Sequence, residues 1–266
     1  MPIQEKCRIL EHQQIAPQHY KLALSSTYIS SNAQPGQFVQ VRISPEFDPL
    51  LRRPLSIHRI SAEHKKFELL YDVVGKGTEL LAKTSVGTEL DVLGPLGKGF
   101  TIAPTEVAIL VGGGMGIAPL VFLADHLKHE HKKRAVYALI GAKNKERLLM
   151  ENELKSLVNE VVVSTDDGSY GQHGFVSDVL LNLLDNVVVD SHYPQTTIYA
   201  CGPKTMLHAI ADIAFQRQIA CQVSMEQKMA CGIGTCLGCV IKTRAGYQKV
   251  CTDGPVFDAK EILWKN

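Results

Sequence analysis

VAILVGGGMGIAPLVFLA, residues 107–124, is the stretch that decides the fold of this 266-residue chain. It carries no charged residue, and its 18 positions reach the length at which an apolar segment can span a membrane. Four glycines and Pro119 interrupt the stretch, and both residue types break a long helix. The pattern therefore predicts a buried strand, a glycine turn and the start of a helix.

The sequence that follows repeats this rhythm. Compact apolar runs typical of buried strands alternate with longer runs of helical periodicity, and such alternation indicates a parallel sheet covered by helices. The strand-like runs are 135–141, 161–169 and 197–203, and the helix-like runs start at 118, 146, 175 and 204.

The sequence that precedes the stretch has a different pattern. Short alternating or compact apolar runs at 37–43, 54–60, 66–74 and 88–94 are separated by Gly, Pro and Ser clusters, which predicts an antiparallel sheet or barrel. Together the patterns predict an α/β fold plus a β-barrel. The expected domains are an antiparallel barrel over 1–102, a parallel-sheet nucleotide domain over 103–222 and a small C-terminal domain over 223–266.

Charge and composition exclude several classes of protein. Because 28 Lys and Arg balance 27 Asp and Glu, the chain has no net field that would attract nucleic acid or an anionic membrane. The first residues lack the basic and apolar regions of a secretory signal, so we expect a cytoplasmic protein. Seven cysteines in a reducing compartment disfavour structural disulfides.

Four of these cysteines lie close together at the C-terminal end. Cys231, Cys236, Cys239 and Cys251 have the C-x4-C-x2-C…C spacing of a plant-type [2Fe–2S] cluster. Small residues between them allow the backbone to curl around a cluster and aim N–H groups at its sulfurs. A zinc site or buried structural cysteines remain alternatives, although zinc ribbons favour two C-x2-C pairs and only one is present.

The glycine cluster at 112–116 is a candidate phosphate site. A helix N-terminus with glycine backbone accepts phosphate oxygens, so the turn predicts a pyrophosphate cradle, with a tight structural turn as the alternative. The dehydrogenase motif G-x-G-x-x-G is not satisfied, because Ile117 and Pro119 occupy the end of the turn.

Three further candidate binding positions rest only on residue type and on their place in the predicted strands and helices. Arg53 beside Pro54 suits a diphosphate or an ordinary strand edge, and Gly77 with Thr78 suits a phosphate site or a helix N-cap. Cys201 ends a strand at the carboxyl edge of the predicted sheet, where ligands bind, yet a plain buried thiol is an equal interpretation.

In this order, the R-P-L-S segment (53–56), the GGGMGIAPL turn (112–120) and the CGP turn (201–203) resemble the ferredoxin–NADP reductase superfamily. The cysteine segment and YQKVCTDGPVFDAKEI (247–262) are similar to the electron-transfer subunits of NAD-linked (class 1B) dihydroorotate dehydrogenases. The resemblance covers nearly the whole chain. The superfamily implies a flavin-binding barrel, and the narrower family implies a [2Fe–2S] C-terminal domain.

The resemblance also implies a role for each matching residue. The residues that match the family's three FAD segments are Arg53, Pro54, Leu55, Ser56, Leu70, Tyr71, Asp72, Gly77 and Thr78. Those that would face the NAD nucleotide are Gly112, Gly113, Gly114, Gly116, Cys201 and Gly202. The four clustered cysteines would ligate the [2Fe–2S] cluster. No catalytic side chain is implied beyond these cofactor ligands.

The implied function is electron transfer in pyrimidine (UMP) biosynthesis. Electrons would pass from an FMN-containing dihydroorotate dehydrogenase catalytic subunit to [2Fe–2S], FAD and then NAD+, in a heterotetramer of two copies of each subunit. A (β/α)8 barrel needs roughly 250 residues, so the oxidation site must lie on that partner. Alternatives are an NAD(P)H reductase subunit of a glutamate synthase-like, sulfite reductase or oxygenase complex, and a zinc-stabilised binding module.

Overall fold

The structure, a computed structural model, describes residues 1–130, 134–186 and 195–264. Its first part is a closed six-stranded antiparallel barrel with the strand order β1-β2-β5-β4-β3-β6. The strands are β1 (Ile3–Ala16), β2 (His19–Ser25), β3 (Phe38–Arg42), β4 (Arg53–Ser61), β5 (Lys66–Asp72) and β6 (Glu89–Leu96).

Buried apolar residues alternate with more exposed residues along the barrel strands, because one face of each strand fills the interior. Leu22, Val39, Ile57, Leu69 and Val92 form part of this core and are fully buried. Two short helices, α1 (Thr27–Asn32) and α2 (Lys76–Ala82), close the barrel.

The second part is a seven-stranded sheet with the order β10-β9-β8-β7-β11-β12-β15. Its strands are β7 (Val107–Gly113), β8 (Ala135–Ala142), β9 (Glu160–Thr165), β10 (Gln172–His173), β11 (Thr196–Cys201), β12 (Ala220–Ser224) and β15 (Val256–Asp258). All neighbouring pairs are parallel except β12 and β15. The predicted fold class, a barrel with a parallel-sheet domain, is confirmed.

Helices cover both faces of this sheet: α3 (Ile117–Glu130), α4 (Glu151–Lys155), α5 (Val176–Asn186) and α6 (Lys204–Gln216). Within β7, Ala108 and Leu110 pack on the side of α3 and α4, whereas Ile109 and Val111 pack on the side of α5 and α6. Burial on both faces explains why this strand reads as a continuous apolar run. None of the helices in the described ranges is long and apolar enough to span a bilayer.

The helix predicted from residue 146 differs from the prediction. A 3-10 turn at Lys145–Arg147 precedes α4, which has only five residues, because Met150 between them adopts a left-handed backbone with φ of 63°. A left-handed residue interrupts α-helical hydrogen bonding, so the helical pattern is split.

The C-terminal residues return to the large sheet. A hairpin of β13 (Val240–Thr243) and β14 (Gly246–Lys249) follows the cysteine segment, and β15 then pairs antiparallel with β12. Strand β12 spans the predicted boundary at 222/223. The range 223–266 is thus tied to the nucleotide domain by its own strand.

Candidate functional site

A cleft of about 580 Å³ lies between the barrel and the carboxyl edge of the parallel sheet, and we call it the central cleft. The barrel side of its wall comes from β4, β5 and α2. The sheet side comes from the turns after β7 and β11 and from the segment that leads to the cysteines. The predicted residues that line it are Arg53, Pro54, Leu55, Ser56, Leu70, Tyr71, Asp72, Thr78, Gly113, Gly114, Gly116, Cys201 and Gly202.

Two predicted residues, Gly77 and Gly112, lie behind the cleft wall. Gly77 is the seat of the Arg53 guanidinium, since a Cβ built on Gly77 would lie 2.4 Å from Arg53 Nε. Gly112 is buried, and a Cβ there would lie 2.5 Å from Ile117 Cδ1. Both glycines act by allowing close packing rather than by facing the cleft.

Arg53 has the donors that a diphosphate group requires. Its Nη1 donates to the carbonyl oxygen of Leu51 at 2.5 Å, while Nε and Nη2 have no hydrogen-bond acceptor in the described part of the chain. A guanidinium in the cleft wall with free N–H groups fits a bound phosphate. Beside it, Thr78 Oγ1 accepts from Val74 N at 2.9 Å, which fixes the entry to α2.

Tyr71 is held by the barrel. Its hydroxyl and His12 Nε2 are 2.8 Å apart, and His12 Nδ1 lies 2.8 Å from the carbonyl oxygen of Thr84. Because a carbonyl can only accept, Nδ1 donates to it, and Nε2 of the neutral ring then accepts from Tyr71. Burial, together with the neighbouring Tyr20, raises the pKa of Tyr71. The hydroxyl is therefore a protonated structural donor.

The glycine turn after β7 packs directly on the turn after β11. A Cβ on Gly116 would lie 2.2 Å from the carbonyl oxygen of Cys201, and a Cβ on Gly202 would lie 3.1 Å from the nitrogen of Gly113. Gly114 has φ of +54° and open space around its α carbon. The two turns thus present bare backbone to the cleft, which suits a dinucleotide.

Cys201 is a protonated thiol in this wall. Burial raises its pKa to about 12, although a hydrogen bond with Ser224 acts in the opposite direction. Part of the residue is exposed, but the titrating sulfur is enclosed. A thiol of this kind is unreactive at neutral pH, which leaves Cys201 a packing role in the cleft wall.

The four clustered cysteines form two pairs. Burial alone would raise the pKa of Cys231, but backbone N–H groups of Cys236 and Ile233 and the Cys236 thiol lower it to about 6. The Cys236 backbone nitrogen lies 3.4 Å from Cys231 Sγ. Burial, followed by the neighbouring Cys239 thiol, raises the pKa of Cys251 to about 11.

The four thiols, in this spacing, suit the ligand set of a [2Fe–2S] cluster. A [2Fe–2S] cluster needs four cysteines, two for each iron. Cys231 lies beside Cys236 and Cys251 lies beside Cys239, and backbone N–H donors favour the thiolate of Cys231.

The loop around the first pair depends on glycine. Gly232 and Gly234 have φ of +71° and +84°, and Lys249 Nζ donates to the Gly234 carbonyl oxygen at 2.9 Å. The β13–β14 hairpin then returns the chain, and Val250 N donates to the Cys239 carbonyl oxygen at 3.0 Å. This contact sets Cys251 beside Cys239.

Sequence reasoning missed the segment between β12 and the cysteines. Ser224, Met225, Glu226, Gln227 and Met229 all line the central cleft. After Ser224, the last residue of β12, the segment has neither regular secondary structure nor a binding motif, so no signal marked it. It connects the cleft physically to the cysteine loop.

Two family descriptions match the chain. "Iron-sulfur cluster binding domain of dihydroorotate dehydrogenase B" matches residues 226–263, and "Oxidoreductase NAD-binding domain" matches residues 110–212. The first range contains all four clustered cysteines, and the second contains the glycine turn and Cys201.

Three curated relatives share the name "Dihydroorotate dehydrogenase B (NAD(+)), electron transfer subunit". The relative from Geobacillus kaustophilus is 40% identical over 265 residues, which cover 97% of this chain and 98% of the relative. The relative from Enterococcus faecalis (strain ATCC 700802 / V583) is 40% identical over 268 residues and 98% of both chains. The relative from Desulforamulus reducens is 36% identical over 264 residues and 97% of both chains.

Two solved structures have similar folds. A chain from the structure of NADH-dependent reduced ferredoxin-NADP oxidoreductase, a protein of flavin-based electron bifurcation, has a TM-score of 0.85 at 30% identity, covering 98% of this chain and 90% of that chain. A ferredoxin NADP+ reductase from Neisseria gonorrhoeae with bound FAD and NADP has a TM-score of 0.66 at 19% identity. That likeness covers 81% of this chain and 90% of that chain, and it concerns the fold alone.

Proposed function

Because the chain belongs to the family of electron transfer subunits of NAD+-dependent dihydroorotate dehydrogenase B, we propose that the central cleft is where its flavin meets its nicotinamide nucleotide. The chain is an oxidoreductase subunit of pyrimidine biosynthesis that works with FAD, a [2Fe–2S] cluster and NAD. The family and cofactors predicted from the sequence are thereby confirmed. The assignment of individual residues is part of the proposal.

One observation carries the proposal: a single cleft is lined by both sets of residues. Residues 53–56 and Thr78 of the barrel face the glycine turn and Cys201 across it. When bound, the cluster carries single electrons, and FAD collects two of them and exchanges hydride with NAD. The protein supplies binding and orientation.

The barrel side is proposed to bind FAD. Arg53, which packs on Gly77, would hold the diphosphate through the N–H groups of its guanidinium. Leu55, Ser56, Leu70 and Asp72 line the remaining wall. Tyr71 contributes the rigidity of its strand rather than its hydroxyl, which donates to His12.

The sheet side is proposed to bind NAD. The turn 112–116 would offer backbone N–H groups to the pyrophosphate, and the protonated Cys201 would form part of the wall around the nucleotide. Hydride transfer between the two rings would itself require only their alignment. Because the cluster would supply electrons alone, the flavin would take up the one proton of the hydride from solvent.

The cysteine loop is proposed as the docking surface for the catalytic subunit. Ile233 is 50% exposed and Leu237 is 72% exposed, and both lie between cluster cysteines. Exposed apolar side chains within a short loop suit a protein contact. We also propose that this subunit carries FMN, that the complex contains two copies of each chain, and that it works in the cytoplasm, where free thiols persist.

Anaerobic titration of the purified protein with NADH tests the proposal. We expect visible absorption bands of both flavin and [2Fe–2S], and we expect NADH to bleach both. A colourless protein that contains one zinc ion would contradict it. Flavin bands that NADH does not change would contradict the assignment of the cleft.

The identity of the bound partner distinguishes this function from that of a reductase subunit of another complex. Isolation of the native complex should yield a dihydroorotate dehydrogenase catalytic subunit. Recovery of a glutamate synthase, sulfite reductase or oxygenase component in its place would favour that alternative.

A further inference from the structure

His58 is a fully buried histidine between the two cofactor-binding parts of the chain. It lies on β4, two residues after Ser56 of the central cleft. The pairing of β4 with β5 shifts register between Ile57 and Arg59, so that His58 occupies a β-bulge. A bulge redirects a side chain, and this one places the imidazole against α3 and α4 of the nucleotide domain.

The ring contacts both of these helices. Its Nδ1 lies 3.1 Å from the carbonyl oxygen of Ala118, in the first turn of α3, and its Nε2 lies 3.4 Å from Glu153 Oε2 on α4. Ala118 follows the glycine turn and itself lines the central cleft. A single side chain thus links the proposed flavin strand to the helix that begins at the proposed nucleotide turn.

Both nitrogens of His58 face oxygen acceptors. In the neutral ring one nitrogen is an acceptor, whereas the imidazolium donates from both. The approach of His58 Nε2 to Glu153 Oε2 at 3.4 Å is an electrostatic contact, and neither atom has a hydrogen-bond partner among the described residues. The imidazole edge that carries His58 Nε2 is thus held facing the Glu153 carboxylate.

The surrounding charges favour the same arrangement. Glu153 Oε1 lies 2.7 Å from Lys21 Nζ of β2, and its Oε2 lies 3.7 Å from Arg59 Nη1 of β4. Arg59 Nη2 lies 3.1 Å from Asp125 Oδ1 of α3.

Glu68 of β5 completes the set, since its Oε2 lies 3.9 Å from Lys21 Nζ. Across the domain boundary, Lys21 and Arg59 of the barrel face two acidic side chains of the nucleotide domain, Glu153 and Asp125. The contact with His58, then the hydrogen bond with Lys21, lowers the pKa of Glu153 to about 2 against the opposing effect of burial. The carboxylate stays ionised across the physiological range.

We propose that His58 is a positioning residue for hydride transfer: it fixes the start of α3, and with it the nucleotide turn, relative to the flavin segment of β4. The inference rests on the proposed function, because it takes the two walls of the cleft as the flavin and nucleotide sites. The hydride, one proton with two electrons, passes between nicotinamide and flavin. His58 exchanges no proton with either ring and acts only through the two contacts.

Three variants test this role. H58L removes both contacts at similar volume, and H58Q restores one donor. H19L is the matched control, because His19 is also a buried barrel histidine, but its Nδ1 pairs with the carbonyl oxygen of Pro17 within its own hairpin at 2.7 Å. E153Q removes the partner charge from the other domain and serves as the deciding variant if H58L fails to fold.

The measurement is the rate of flavin reduction by saturating NADH, observed in anaerobic stopped-flow experiments on the holoprotein. We expect H58L to lower this rate by about 10- to 100-fold, because misplacement of reacting groups by about 1 Å has such an effect. H58Q should recover part of the loss, E153Q should show a smaller loss, and H19L should match the unmodified chain. Flavin content and spectrum should not change.

Amide hydrogen exchange gives a second readout that does not depend on activity. H58L and E153Q should increase exchange in residues 117–125, whereas H19L should not. If H58L, or E153Q where H58L does not fold, retains both the rate and the protection, the inference is overturned. An equal loss in H19L would also overturn it, since the effect would then be general destabilisation. If NADH fails to reduce the flavin of the unmodified chain, the proposed function fails instead.

Discussion

The side chain of Gln40 lies directly on the α carbon of Gly232: a Cβ built on that glycine would lie 2.4 Å from Gln40 Nε2. Gln40 is fully buried on β3 and pairs with Pro54 of the cleft wall, while Gly232 follows the first cluster cysteine. The barrel strand next to the proposed flavin segment is therefore in contact with the loop that holds the cluster.

Replacing Gly232 with Ala should disturb this loop. The residue has φ of +71°, and a side chain there both strains the backbone and overlaps Gln40. We expect a loss of about 1–3 kcal/mol in the free energy of unfolding and a reduced iron content per chain, measured by urea titration and iron analysis.

Gly246→Ala is the control for backbone strain alone. Its φ is +102°, but no atom lies within 4 Å of the added methyl group. The variant G246A should keep its full iron content. If G232A also keeps it, the contact with Gln40 does not support the cluster loop.

Replacing Gly116 with Ala should separate the two turns of the nucleotide wall. The methyl group would lie 2.2 Å from the carbonyl oxygen of Cys201. Because this oxygen belongs to the backbone, it cannot move aside without a large cost in free energy. We expect at least about tenfold weaker NAD+ binding by calorimetry and a destabilisation of about 1–3 kcal/mol. Gly75→Ala, which meets nothing within 4 Å, should change stability by less than about 0.5 kcal/mol. If G116A binds NAD+ with unchanged affinity, the glycine turn is not part of the NAD+-binding site.

Glu153 should make stability depend on acid pH. The pKa of Glu153 falls from 4.5 to about 2 on folding. The ionised carboxylate therefore stabilises the folded state at pH values above 4.5, and this stabilisation is lost as the pH falls toward about 2. At pH 7 we expect E153Q to lose about 2 kcal/mol of unfolding free energy, allowing for partial exposure. The difference from the unmodified chain should shrink between pH 4.5 and 2 in denaturant titrations. A difference independent of pH would mean that the ion pairs contribute nothing.

Replacing Cys236 with Ala should remove the cluster but leave the flavin. We expect loss of the [2Fe–2S] absorption and of NADH formation with the catalytic partner, while NADH oxidation by artificial acceptors persists. Cys221→Ala is the control, because that thiol is buried on β12, outside the segment 231–251 that carries the four clustered cysteines. An intact cluster in C236A would contradict the ligand assignment.

The sequence predicted the layers of the fold well because burial on one or two faces leaves a period in the chain. The strand runs at 37–43, 54–60 and 66–74 correspond to β3, β4 and β5, and the glycine turn after residue 111 lies between β7 and α3. Pairing between distant segments leaves no such period. The addition of β15 to the large sheet was therefore not predictable from the pattern.

The candidate site shows the same division. Motif residues such as Arg53, Gly116 and Cys201 could be named from type and spacing, and most of them meet in the central cleft. His58 and Gln40 could not be named, because an isolated polar residue within an apolar strand reads as an ordinary core position. Their importance depends on the domain and the loop that the folded chain brings against them.

The most direct test of the central claim mixes the chain with dihydroorotate and NAD+ under anaerobic conditions, with and without the catalytic subunit, and measures NADH formation. We predict NADH only when the subunit is present, and none when C236A replaces the unmodified chain. NADH formation by the chain alone, or an undiminished rate with C236A, would contradict electron transfer from a partner through the cysteine cluster.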